Sequence, residues 1–337
     1  MRPKRLAQAA SLAIFSALVV CASESLVCGV AARWFLGMDP AGVVQVASAE
    51  RDIPAGYVPA LCVLALTLLA GRFFCSMVCP LGALVDVTDS VFGAQGRVAR
   101  PKTAGMRGGK YLVLGILAAS AAFGLALAAF LSPLSIMARL VGLVLHPLGM
   151  DAAGAFVRAA RPLAEDLGMT RIAYAAVTPR DYGLEALSAG VAGIALAGVV
   201  LGPRFWCRCL CPAGAVFALF SVRPLLVRRR VNEGCTSCMR CVERCPMLAI
   251  GPDPRKTDHA ECIACMRCAR VCPVSAVGFL PGGGRTQGRG AGFSRSRRFV
   301  LLGVLFAAAS GAVLARFLNP VGLGGSRVAR AGFGVLR

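Results

Sequence analysis

Five apolar stretches, each close to the roughly twenty residues that carry a helix across a ~30 Å hydrocarbon core, decide most of what this 337-residue chain can fold into. They run from about Leu6 to Val30, Val58 to Val78, Tyr111 to Leu131, Leu184 to Leu201 and Phe299 to Leu318. Backbone groups in lipid must be satisfied within their own segment, so each stretch is expected to be helical. Their Ala, Gly and Ser content suits close helix packing. Composition agrees: mean hydropathy is +0.70, with 57% hydrophobic and only 16% charged residues, too thin a polar coat for a soluble chain of this size. The net charge of +21 is no nucleic-acid footprint, because the basic residues flank apolar stretches and aromatic residues are scarce.

Those basic residues give orientation instead. They are dense at the start (Arg2, Lys4, Arg5), between Gly93 and Lys110 (Arg97, Arg100, Lys102, Arg107, Lys110), and from Arg204 to Arg298. They are sparse from Ala31 to Tyr57 and from Ser132 to Gly183. Dense and sparse segments alternate, as positive-inside orientation requires. The amino terminus, the short basic loop and the cysteine-rich region are therefore expected in the cytoplasm of a bacterial-type inner (plasma) membrane. The longer loop and the carboxyl tail are expected outside.

Of sixteen cysteines, eight fall into two identical runs: Cys235-x2-Cys238-x2-Cys241-x3-Cys245-Pro246 and Cys262-x2-Cys265-x2-Cys268-x3-Cys272-Pro273. This is the spacing of a bacterial two-cluster ferredoxin, in which the fourth cysteine of each run serves the other cluster. One 4Fe-4S cluster should take Cys235, Cys238, Cys241 and Cys272, and the second Cys262, Cys265, Cys268 and Cys245. Two-residue gaps let three thiolates wrap one corner of a cubane, and the proline turns the chain away so that the fourth can reach across. Zinc prefers well-separated Cys-x2-Cys pairs, not four cysteines in eleven residues twice over. Arg240, Arg244, Arg267 and Arg270 lie among or beside the ligands, where positive charge either favours the reduced state or simply contacts anionic lipid headgroups.

A second element is also repeated. Arg72-Phe73-Phe74-Cys75-Ser76-Met77-Val78-Cys79-Pro80-Leu81-Gly82-Ala83 recurs as Arg204-Phe205-Trp206-Cys207-Arg208-Cys209-Leu210-Cys211-Pro212-Ala213-Gly214-Ala215. The membrane part reads as a duplicated helical hairpin, each copy ending in Cys-x3-Cys-Pro, and repeats of this kind place functional sites at their shared interface. Cys75, Cys79, Cys207 and Cys211 are thus expected to meet there, as a metal or cluster site, a redox dithiol or packing groups. Cys21, Cys28 and Cys62 have no motif partners and read as buried apolar thiols. The two histidines, His146 and His259, lie on no predicted span, so facing haem ligands are not expected. No nucleotide-binding glycine motif is present.

Together these residues resemble the NapH-type membrane polyferredoxins, relatives of the nitrous-oxide-reductase regulator and RdxA/FixG families. The resemblance covers about residues 1 to 280 and includes Met38-Asp39-Pro40 in the first external loop. It implies oxidation of membrane quinol and electron delivery to other redox subunits of a membrane or periplasmic complex. The fold class expected is an all-α polytopic membrane protein, duplicated hairpins plus a C-terminal span, with a cytoplasmic two-cluster α+β ferredoxin domain. Its parts are a first hairpin (1–92), a basic loop (93–110), a second hairpin (111–225), the ferredoxin domain (226–280), a Gly/Arg linker (281–298), a fifth helix (299–318) and a tail (319–337) short enough to suggest truncation. Two functions of other classes compete with a quinol-linked carrier: an electron-donating reductase for metalloenzyme assembly, and a cluster-containing sensor or scaffold. By the two-cluster logic, the anaerobically purified protein is expected to contain about eight irons per chain. Total iron near four, or stoichiometric zinc, would refute that ligand assignment.

Overall fold

The computed structural model describes residues 2–22, 26–50, 55–92, 106–122, 128–166, 183–221, 224–230 and 234–281. The fifth apolar stretch and the tail lie outside the described residues. Up to residue 221 the described chain is helical, and it then ends in a small lobe closed by two antiparallel strands, Leu226–Arg230 and Val277–Pro281. Their register runs from Leu226 opposite Pro281 to Arg230 opposite Val277.

Several expected spans are shorter or more broken than their hydropathy implies. The first stretch is two helices, Arg2–Cys21 and Leu26–Leu36, packed on each other. Cys21 and Cys28 are joined in a disulfide and Cys62 is exposed, so none of the three is the buried free thiol expected. The second stretch is helical only over Val58–Ala70; Gly71, at φ +68°, ends it, and a single turn, Phe74–Met77, follows. Glu185–Ala197 continues as a 3-10 turn to Leu201, the length expected of the fourth stretch.

Two segments read as external loops are helical. Pro40–Glu50 packs against Gly109–Ala122, Pro212–Phe220 and Val58–Ala70. Residues 133–166 form one helical run, Pro133–Arg139, a wide π turn over Leu140–Leu145, then His146–Asp166. Pro147 lacks the N–H that an ordinary ladder needs, and the π turn just before it, in which the His146 amide reaches back to the Val141 carbonyl, absorbs the mismatch. His146 thus lies on a helix rather than in a loop. Among the described residues, two helical segments are long and apolar enough to cross a membrane, Lys4–Cys21 and Pro133–Arg161; Val27–Leu36, Val58–Ala70 and Glu185–Leu201 are shorter apolar helices.

One apolar core draws on both repeats: Phe74, Leu81 and Val85 from the first copy and Trp206, Val216 and Phe217 from the second pack with Phe15, Leu114, Leu134 and Met137. Two buried carboxylates tie the remaining pieces together. Asp86 accepts from Arg204 Nε at 2.8 Å, Lys4 Nζ at 2.8 Å and Gln8 Nε2 at 2.8 Å, with Arg267 of the small lobe at 3.4 Å. Glu261, in the small lobe, accepts from Arg72 Nη1 at 3.0 Å and from Lys110 Nζ at 2.5 and 2.6 Å. Arg72, Lys110, Arg204 and Glu261 are all fully buried.

Burial pulls the Asp86 carboxyl up, but the Arg204 guanidinium, with Lys4 and Arg267 behind it, outweighs this and holds the group well below the ordinary carboxylate range. A depressed folded value means stability that is present above the unfolded carboxyl pKa of about 4 and is lost as pH falls below it. Asp86→Asn should therefore cost about 3–5 kcal/mol near neutral pH, the penalty for stranding a buried cation, and progressively less in acid. Denaturant unfolding of the detergent-purified protein across that pH range measures both. Lys256→Ala, at an exposed pair 4.0 Å long, should change stability by less than about 1 kcal/mol.

Candidate metal centres

The small lobe repeats itself in its backbone as well as its cysteines. Positive φ occurs at Ser237 and Ala264, at Met239 and Met266, and at Leu248 and Ser275, each pair holding the same place relative to its run. Left-handed residues inside a loop turn successive amides to one side, a concavity that receives anions. The amides respond as that geometry requires: Met247, Ala249 and Ile250 donate toward the Cys245 sulfur, and the Ala276 amide donates to Cys272 Sγ at 3.3 Å.

Cys245, Cys262, Cys265 and Cys268 line one cavity with Pro246, Ile250, Ile263, Arg228, Arg267 and Phe279. It holds about 350 Å³ of empty space, part of it open to solvent. Burial pushes the Cys262 thiol up to about 12; the Ala264 amide opposes this, and Cys245, Cys265 and Cys268 add to the rise. Burial likewise raises Cys245 and Cys268, the latter against the pull of Arg228. Metal binding must therefore expel protons that an empty site retains. Among the described residues no three Cys, His, Asp or Glu side chains converge closely enough for a single ion. Four thiols spread around a cavity and supported by backbone amides suit a polynuclear cluster.

The other expected set is more open. Cys238 is exposed, and the Arg240 amide heads the interactions that lower its thiol; Cys238 lies near the buried Cys241, whose thiol burial raises. Cys235 and Cys272 are half-buried.

The Cys-x3-Cys-Pro elements are near-copies in three dimensions. Cys79 (φ −66°, ψ 116°) and Cys211 (φ −63°, ψ 115°) each cap a helix that opens on proline, Pro80–Val91 and Pro212–Phe220, a position where the missing N–H costs nothing. Each sulfur accepts the amide three residues on, Gly82 at 3.4 Å and Gly214 at 3.3 Å. Glycine is required at 82, where a Cβ would stand 2.6 Å from the Cys75 carbonyl oxygen, and fits tightly at 214, where a Cβ would stand 3.0 Å from Arg72 Nη2 and 3.2 Å from the Cys207 carbonyl oxygen. Cys79, Cys207 and Cys211 are buried, Cys75 half-buried, and all four lie within electrostatic reach of one another. Burial, reinforced by neighbouring thiols, raises Cys79 and Cys211 well above the ordinary thiol range; burial also raises Cys207, to about 11, against the pull of Arg204.

Sequence reasoning missed four participants. Arg228 donates to Thr257 Oγ1 at 2.7 Å and to the Pro254 carbonyl, and lines the thiol cavity; in sequence it is one of three consecutive arginines. Arg72 and Arg204 head the repeated motif but carried no assigned role, although Arg204 donates to the Cys75 carbonyl at 3.0 Å and the Gly82 carbonyl at 3.2 Å. Glu261, one residue before Cys262, anchors the lobe to the helices.

Comparison with known proteins agrees with this chemistry. One 4Fe-4S binding domain model matches residues 53–94 and 184–232, which contain both Cys-x3-Cys-Pro elements, and a second 4Fe-4S binding domain model matches residues 256–277. Both repeated elements and part of the small lobe thus match iron–sulfur binding domains. Its relatives include the methylamine utilization ferredoxin-type protein MauN of Methylorubrum extorquens, 25% identical over 199 residues (57% of this chain, 55% of the relative). MauN of Paracoccus denitrificans is 26% identical over 180 residues (53% and 50%), and an uncharacterized protein of Methanocaldococcus jannaschii is 38% identical over 45 residues (13% and 18%). The chain spans about half the length of the MauN proteins it matches. No solved structure matches.

Cys245→Ser should perturb the cluster whose remaining ligands are Cys262, Cys265 and Cys268, although it lies in the other run. Electron paramagnetic resonance of the reduced protein should show that signal lost or altered and the other retained. Loss confined to the signal dependent on Cys235, Cys238 and Cys241 would rule out the crossed arrangement.

Proposed function

We propose that this chain is a membrane-bound electron carrier of the NapH type, which takes electrons from quinol and passes them to a respiratory or periplasmic redox partner. Two 4Fe-4S clusters serve the relay, one held by Cys235, Cys238, Cys241 and Cys272 and the other by Cys262, Cys265, Cys268 and Cys245. When bound, each cluster supplies a one-electron carrier, which lets a two-electron quinol be oxidised in single steps with release of its two protons.

The observation that carries the reading is a shared wall. Cys75 of the first Cys-x3-Cys-Pro element packs on the Met247, Ala249 and Ile263 core together with Cys245, Cys262 and Cys265. The helical body and the thiol cavity are therefore contiguous, with no solvent gap for an electron to cross. Arg228 and Arg267 bring positive charge to the cavity and favour the reduced state, which suits a modest reductant such as quinol.

Membrane placement has its own support. Val58, Leu61, Leu66, Leu68 and Leu69 are exposed along one helix, Leu112 and Ile116 along another, and Leu187, Ile194 and Val200 along a third. Apolar surface repeated on successive helices suits contact with lipid. The positive-inside count then sets the small lobe and the amino terminus on the cytoplasmic side of the inner membrane, with the carboxyl terminus outside.

Mixing anaerobic, detergent-purified protein with a reduced quinone analogue should generate the reduced-cluster signal in the wild type. Cys79→Ala and Cys211→Ala should abolish this reduction while dithionite still reduces the two ferredoxin-type clusters. A wild type that quinol leaves oxidised, but that turns over Cu(II) when reduced by dithionite, would replace the carrier reading with that of an assembly reductase.

A further inference from the structure

Arg72 carries two buried donors, Nε and Nη2, that have no acceptor among the described residues, although the residue is fully buried. Its third nitrogen, Nη1, is committed to Glu261 and the Ala260 carbonyl. Nη2 lies 3.0 Å from where a Cβ on Gly214 would stand, in the loop that Cys211 caps, and Cys75 and Cys211 both lie within electrostatic reach of the guanidinium. Leaving charged donors unpaired in the interior is costly, so such a group implies an anionic acceptor. Neutral thiols are weak acceptors, and a disulfide carries no charge. Arg204 makes the reciprocal crossing, reaching from the second repeat to the Cys75 and Gly82 carbonyls of the first while facing Cys207.

We infer that Cys75, Cys79, Cys207 and Cys211 together hold one additional iron–sulfur cluster, shared between the two repeats, with Arg72 and Arg204 as its counter-ions. This inference rests on the iron–sulfur reading of the chain and goes beyond it. The match to a 4Fe-4S binding domain spans both repeated segments, but it does not say which residues act together or whether each repeat holds a cluster of its own. The geometry favours a single shared centre. Each repeat offers two thiols, and each arginine reaches into the other repeat's loop.

Charge and shape agree with that centre. On one side Arg72 and Lys110 share Glu261, and on the other Arg204 and Lys4 share Asp86. Arg267 adds a third cation to the Asp86 side, so cations outnumber the carboxylate in both halves, as an anionic cluster requires. The described thiols do not converge on a point fit for one ion, whereas a cluster's separate corners need no such convergence. Cys75 touches the same small core as Cys245, Cys262 and Cys265. One electron leaving this centre, which is thereby oxidised, reduces the cluster beside it.

Iron and acid-labile sulfide, counted on the anaerobically purified full chain, test the inference without any quinol. Three cubanes predict about twelve of each per chain. Cys79→Ser and Cys211→Ser, one from each repeat, should each bring the count to about eight and remove the same paramagnetic signal. Cys265→Ser should remove a different one. A wild-type count of about eight that neither substitution changes would overturn the inference and leave the two-cluster reading standing, as would zinc in place of iron at these thiols. Losses of different signals from the two repeats would also overturn it. Should either variant fail to fold, the wild-type count, with iron speciated by Mössbauer spectroscopy, still decides.

Discussion

Asp86 and Glu261 hold the molecule together. Each is a buried carboxylate that takes an arginine from one Cys-x3-Cys-Pro repeat and a lysine from another helix. Isolated charges would not survive there, because the desolvation cost of each exceeds what a single imperfect partner returns. Two cations on one carboxylate, backed by Gln8 at Asp86, meet that cost and fix three separate chain segments at once. The consequence is positional. Arg72 can face Cys75 and Cys211 only because Glu261 holds its other end, and Glu261 immediately precedes the first ligand candidate of the second cysteine run. One ion cluster therefore sets the distance between the helical body and the thiol cavity.

The arginines answer a second problem, that of backbone left open where a helix stops. Gly71 and Gly202 end apolar helices ahead of each repeat. Backbone groups left open inside a packed body must be satisfied by the protein itself. Arg204 does so directly, donating to the carbonyls of Cys75 and Gly82, and the cysteine sulfurs take the glycine amides at the new helix starts. The motif is a way to break a helix inside a packed body while presenting two thiols at the break.

Much of this was legible in the sequence for a plain reason: chemistry that needs fixed local spacing leaves a fixed local pattern. The two cysteine runs, the prolines that open the helices after Cys79 and Cys211, and the repeat that brings four thiols together are all of this kind. Long-range partners leave none. Arg72 and Glu261 are far apart in the chain, as are Asp86 and Arg204, and no periodicity announces either pair. Residues 133–166 were misread for a different reason. Pro133, Pro147, Gly142 and Gly149 are ordinary loop signals, and only a π turn lets the helix run through them. Pro40–Glu50 is too short for its hydropathy to register, yet it packs among four other helices.

The asymmetry between the two cysteine sets follows from where each meets the helical body. Cys245, Cys262 and Cys265 share a core with Cys75, so that cavity is walled by the bundle on one side and by Arg228 on the other. Cys238, by contrast, is exposed. A buried cavity lowers the local dielectric and strengthens the influence of nearby arginines, while an exposed one is screened by water and salt. Two sites of identical spacing therefore offer different electrostatic surroundings, a protected one toward the helices and an open one toward solvent. The docking of the lobe through Glu261 is what makes the two ends different.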